Sequence, residues 1–195
     1  MGRRFPILRP GQAWLLASTL LAATSLLIFA LGTPERWALA AGPEPWRTVT
    51  GGVAHWNVLH LVGNLAGLAV IGWLGRRAEL PAWATGAWLL AGPMSHALLW
   101  VHPQLPPYAG LSGWLHAGVA VAVLALIQRP GQERRIGAAI GLGLLVKLLL
   151  EQPWGPLLRP GDWWGGATLP LAHLSGAAAG LLTGALAQAC RRFKG

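Results

Sequence analysis

The chain has 195 residues, of which 54% are hydrophobic and only 11% charged, and its mean hydropathy is +0.49. A soluble domain carries about a quarter charged residues, so lipid rather than water is implied as the solvent of much of the surface. The formal charge of +9 does not indicate nucleic acid, because the basic residues form no single patch and fall at the ends of apolar runs.

Six apolar runs predict six spanning helices in one all-α membrane domain over 1–195, at about 14–31, 56–74, 82–101, 111–127, 136–150 and 169–189. The first run follows a basic start and is followed by Ala38-Leu39-Ala40, which imitates a signal peptide with its cleavage site. The run is longer than a usual signal core, and Pro34, Glu35 and Arg36 intervene, so a retained helix is expected. The second run opens with His55 and carries His60 and Asn64, with His55 expected to tie down the preceding loop. The third contains Pro93, which should kink or locally unwind it, a kink accommodated by neighbouring helices being the default. The segment 102–109, rich in proline, cannot be regular helix and leads into the fourth run at Ser112. The fifth is short and contains Lys147, with Glu151 at its end. The sixth carries His173. His96 and His102 receive no role. The lone Cys190 excludes an internal disulfide. Twelve tryptophans suit an interfacial belt. Pairs such as Gly63/Gly67, Gly72/Gly75, Gly137/Gly141 and Gly176/Gly180 mark close helix contacts.

Charge sets the orientation. If the runs alternate, eleven basic residues share one side: Arg3, Arg4, Arg9, Arg76, Arg77, Arg129, Arg134, Arg135, Arg191, Arg192 and Lys194. Arg36, Arg47 and Arg159 face the other. Both termini are then expected in the cytoplasm.

Polar groups inside spans are costly and usually functional. His60 and Asn64, four apart, share one helical face. Ser112 opens the fourth run and His173 the sixth, so all these groups lie toward the non-cytoplasmic ends. From Ser112 to Gln128 a helix rises about 24 Å, against a hydrocarbon core of about 30 Å. Ser112 should therefore sit below the outer surface, where irregular backbone is tolerated only beside a water-filled cavity or buried in protein. Gly110 and Gly113 let a substrate backbone approach. A hydroxyl, an imidazole and a His/Asn donor pair at one depth are the parts of a nucleophile, a base and an oxyanion site. Taken singly, such a serine is most often a helix cap, and such a histidine an interhelical strut.

The elements His60-x-x-x-Asn64, Gly110-x-Ser112-Gly113 and Ala172-His173-x-x-Gly176-x-x-x-Gly180 together resemble the rhomboid family of intramembrane serine proteases, in order and in helix placement across nearly the whole chain. The resemblance implies a six-helix rhomboid-like bundle and a catalytic Ser112–His173 dyad with no third acid. It also implies His60 and Asn64 as oxyanion donors. Substrates would be membrane-anchored proteins admitted laterally between the second and fifth helices. The longer segment from Tyr108 through Ser112 to His116, with Lys147-x-x-x-Glu151-Gln152, resembles the rhombosortase subgroup. That likeness implies a bacterial inner membrane, an active site facing the periplasm, and substrates with a C-terminal Gly-Gly, membrane helix and basic tail. Where typical rhomboids carry an aromatic residue, this chain has His116, which would orient His173 or itself accept a proton, or simply bridge two helices. Lys147 and Glu151, four apart, are expected to pair, by default structurally. The alternative is that this pair shapes substrate access. No cofactor or metal is implied, since no HExxH, cysteine cluster or nucleotide loop is present. The rival readings are an inactive rhomboid-like protein that binds membrane helices, and a small transporter. The transporter would need polar residues continuing into the inner halves of the spans, which are Leu, Ala and Gly.

Overall fold

The computed structural model describes residues 9–40, 42–161 and 166–193; Arg3, Arg4 and Lys194 of the orientation argument lie outside these. The described residues form α1 (Gln12–Leu31), α2 (Pro34–Trp37), α3 (Arg47–Thr50), α4 (Val58–Arg77), α5 (Ala82–Trp100), α6 (Ser112–Ile127), α7 (Gln132–Glu151) and α8 (Pro170–Arg192). Six of these helices are 16–23 residues long. Three (α1, α4 and α8) are long and apolar enough to cross a membrane by length and composition, and α6 is a shorter apolar helix.

The ends follow local chemistry. Gly11 and Gly32, both at positive φ, bracket α1. The Asn57 side chain caps α4 by accepting the His60 N–H at 2.8 Å. α8 opens on Pro170, whose missing N–H would have had no helical partner. α7 stops at Glu151 because Gln152 turns left-handed at φ 47 and Pro153 cannot continue the helix. α7 also starts earlier than expected, at Gln132, because its first turn is polar and escapes a hydropathy criterion.

Pro93 sits within α5, which is helical throughout Ala82–Trp100, and the Trp114 indole of the neighbouring helix lies against Gly92, one residue before it. One expectation is corrected: the tryptophans do not all form a surface belt. Trp14, Trp88 and Trp114 are buried, stacked or cross-linked in the core. Trp88 Nε1 donates to the Trp114 carbonyl at 2.9 Å, and Trp114 Nε1 donates to the Trp88 carbonyl at 3.0 Å. Their rings fit clefts left by Gly75, Gly92 and Gly118, where a Cβ would collide.

α6 is the hub: it packs most extensively on α8 and also on α5, α7 and α4. Large apolar side chains on the outer helices point away from this core, among them Leu27, Val70, Trp73, Leu90, Leu142 and Leu150. So broad an exposed apolar surface is what acyl chains cover. The basic ends of the helices meet at one end of the bundle. Gly11 N–H donates to the Leu80 carbonyl, and the Arg129 guanidinium donates to the Ala78 and Glu79 carbonyls. The polar groups singled out above collect at the opposite ends of α4, α6 and α8.

On that side the first loop folds back over the bundle. Leu39 is fully buried and exchanges both backbone bonds with Tyr108. His96 Nδ1, unassigned by sequence, donates to the Thr48 carbonyl at 2.6 Å and ties α3 to α5. His55 Nδ1 donates to the Val53 carbonyl, and its ring lies edge-on to His60 at 5.1 Å. Burial, aided by the neighbouring His60, pushes the His55 imidazole down to about 4, against the opposing Val53 carbonyl. A histidine depressed in the folded state stabilises the fold fully above its unfolded value of about 6.5 and loses that contribution as pH falls through 4. Melting of detergent-solubilised protein should therefore fall across this window by the equivalent of about 3 kcal/mol. His55→Gln should flatten the profile; identical profiles would refute the assignment.

Candidate active site

Ser112 is the first residue of α6, not its cap. Leu111 occupies the cap position, and no side chain caps the helix. The first N–H groups of α6 are thus left without helical partners. The Ser112 hydroxyl lies 3.4 Å from Tyr108 Oη, whose own proton is directed to the Gly110 carbonyl at 2.9 Å. The sequence alone made capping the default for this serine. The structure frees its hydroxyl from that task.

His173 lies in the first turn of α8, brought to α6 by glycine. A Cβ on Gly113 would sit 2.9 Å from the Ala172 carbonyl oxygen, and one on Gly176 or Gly180 would collide with the backbone of Gly113 or Ala117. The backbones flanking Ser112 and His173 are therefore in contact. Gly176→Val is expected to force α8 off α6 and cost about 1–3 kcal/mol of overpacking. A lowered melting temperature with loss of any Ser112-dependent activity would register it; an unperturbed, active variant would contradict the packing argument.

His60, Asn64, Ser112, His116, Lys147, Glu151 and His173 all line one cavity of about 500 Å³, with Tyr108 and Trp56. Gly110 is at φ +154, and a Cβ there would lie 2.6 Å from the His60 Cε1, so this position holds the loop against the His60 ring only as glycine. Asn64 is buried, and its Nδ2 has no hydrogen-bond partner among the described residues. A buried amide donor without a partner is costly, and this one belongs to a residue that lines the cavity.

His116 packs its ring on His173, with centroids 4.2 Å apart and planes within 14°. Its Nδ1 bonds to the Ser112 carbonyl at 2.7 Å; a carbonyl only accepts, so Nδ1 carries the proton. Glu151 departs most from the sequence reading. Lys147 does pair with its Oε1, but its Oε2 lies 2.7 Å from His173 Nδ1. The resemblance implied no acid on this histidine, yet a carboxylate is there. No local signal pointed to it, because the two residues are 22 apart and Lys147 already accounted for the charge.

His116, Glu151 and His173 bring ligand atoms within 4.8 Å of one another. The carboxylate is already shared by an ammonium and an imidazole, and a neighbouring Lys147 opposes a dication. The trio suits proton handling better than metal binding.

The pattern has a counterpart among known proteins: the family model described as Rhomboid domain matches residues 42–189, three quarters of the chain. This chain belongs to the rhomboid family. Rhomboids are in general intramembrane serine proteases acting on membrane-anchored substrates within the bilayer, and the chain is accordingly an integral membrane protein. Comparison with curated proteins gives no match. The rhomboid match begins after α1 and spans every cavity-lining residue named above.

Proposed function

We propose that this rhomboid is an active serine endopeptidase that cuts membrane-anchored proteins in or beside their membrane helix. The observation carrying this reading is the shared cavity, into which a nucleophile, an imidazole and an unpaired amide donor converge. His173 Nε2 takes the proton of Ser112 as Oγ attacks the scissile carbonyl. Asn64, His60 and the Ser112 N–H receive the oxyanion. His173 then protonates the leaving amine, and water admitted through the cavity releases the acyl group, its proton returning to Ser112 by the same imidazole.

Substrate access is assigned to the gap between α4 and α7. Both helices line the cavity, yet they do not pack extensively on one another. The helix being cut has to unwind, since its backbone is otherwise hydrogen-bonded and hidden. Glycine near the scissile bond lowers that cost. This fits the narrower assignment, a rhombosortase of a bacterial inner membrane with its cavity toward the periplasm and both termini in the cytoplasm, processing C-terminal Gly-Gly signals. The six long helices as six spans and the basic ends gathered away from the cavity support that topology. Co-expression with C-terminally anchored proteins, with and without the Gly-Gly signal, tests it. The anchored domain should be released by wild type and not by Ser112→Ala; release independent of Gly-Gly would remove the subgroup, and equal release by both enzymes the protease.

A non-catalytic rhomboid that only binds membrane helices is the second reading. It leaves unexplained why a serine hydroxyl and a histidine are both kept in the cavity free of capping duty.

A further inference from the structure

We infer that Glu151 is the third member of a Ser112–His173–Glu151 triad, positioning His173 through its Nδ1 while Lys147 holds the carboxylate in place. The inference rests on the serine-protease reading of the same cavity and adds to it an acid that the family resemblance does not supply.

The geometry is specific. An ionised carboxylate only accepts, so the 2.7 Å contact puts the proton of neutral His173 on Nδ1 and leaves Nε2 with its lone pair. That is the tautomer a base toward Ser112 requires. The opposite tautomer would set a lone pair against the carboxylate. When Nε2 takes the serine proton, the resulting imidazolium is stabilised by the adjacent negative charge, and Glu151 itself remains ionised throughout. The two oxygens of Glu151 are divided between tasks: Oε1 is held by Lys147, one helical turn back, and Oε2 faces His173. Termination of α7 at this residue keeps the carboxylate at the cavity rather than at a lipid-facing flank. On the other face of the ring, His116 stacks on His173 and limits its rotation. The imidazole is thus bounded by α7 on its edge and α6 on its face.

The charged and titratable groups facing His173 are Glu151 and Lys147 from α7, His116 from α6, His60 from α4 and Tyr108 from the preceding loop. Of these only Glu151 brings negative charge at neutral pH, so its removal has a predictable sign. Imidazolium loses its counter-charge, and the proton transfer that forms it is slowed.

The test is the rate of fluorophosphonate labelling against pH for the full chain in detergent, comparing wild type, Glu151→Gln and Glu151→Asp. Glu151→Gln should slow labelling at neutral pH by about 10²-fold or more, because its amide offers a donor to Nδ1 and favours the wrong tautomer. The midpoint of the acidic limb should move to lower pH, and Glu151→Asp should recover part of the rate with a midpoint near that of wild type. A purely structural role would reduce the folded fraction and leave the midpoint of the remainder unmoved. Nitrogen-15 spectra of histidine-labelled wild type provide a readout that needs no variant: His173 should carry its neutral proton on Nδ1. Ser112-dependent labelling with unchanged rate and midpoint in Glu151→Gln, or a His173 proton on Nε2, overturns the triad alone. Labelling that is absent in wild type or persists in Ser112→Ala overturns the protease reading and the triad together.

Discussion

Ser112→Ala is expected to abolish fluorophosphonate labelling and to lower substrate cleavage by about 10⁶-fold, the scale seen when the nucleophile of a serine hydrolase is removed. His173→Ala should cost nearly as much, and the double variant no more than either, since on the proposed mechanism hydroxyl and imidazole act as one unit. The stability of Ser112→Ala should barely change. The hydroxyl is no helix cap, and its side-chain hydrogen bond among the described residues, to Tyr108 Oη, is long at 3.4 Å. Loss of activity without loss of fold, read from in-gel labelling and a detergent melt of the same preparation, is the signature. Undiminished cleavage by Ser112→Ala would end the assignment of this serine.

Asn64→Ala should lower kcat by about 10²–10³-fold, the effect of deleting one oxyanion donor. The argument lies in the unpaired Nδ2, buried yet without a partner among the described residues. An amide held in that condition costs free energy at rest, and on the proposed mechanism it is repaid when charge develops on the substrate oxygen. Removing it should leave the melting temperature unchanged or raised while activity falls. His60→Ala should act in the same direction, but it also removes the ring that packs against His55 and Gly110, so a stability loss will accompany it. Asn64→Ala with wild-type kcat, or with a collapsed melt, would show that the amide serves packing instead.

Much of the cavity lining could be read along the chain because its markers are local. His60 and Asn64 are one turn apart on one helix and both reach the cavity. Ser112 and His173 each open a helix, at places where hydropathy alone sets the boundary. The arginines at the far ends of α4 and α6 follow from the cost of charge in lipid. The aromatic-belt expectation misled for Trp14, Trp88 and Trp114 because composition does not say which indoles will meet a glycine cleft.

Hydropathy and spacings of three or four residues were enough to read lipid as the solvent, to find the six long helices and to name the residue types available for chemistry. Tertiary structure decided what those residues touch. Lys147 was the only partner within reach of Glu151 along its own helix, whereas His173 joins it from another helix across a long loop. Likewise Ser112 and His173 line one cavity on helices whose backbones Gly113, Gly176 and Gly180 let into contact. Such meetings depend on close packing between distant segments, a property of the folded bundle that no local pattern encodes.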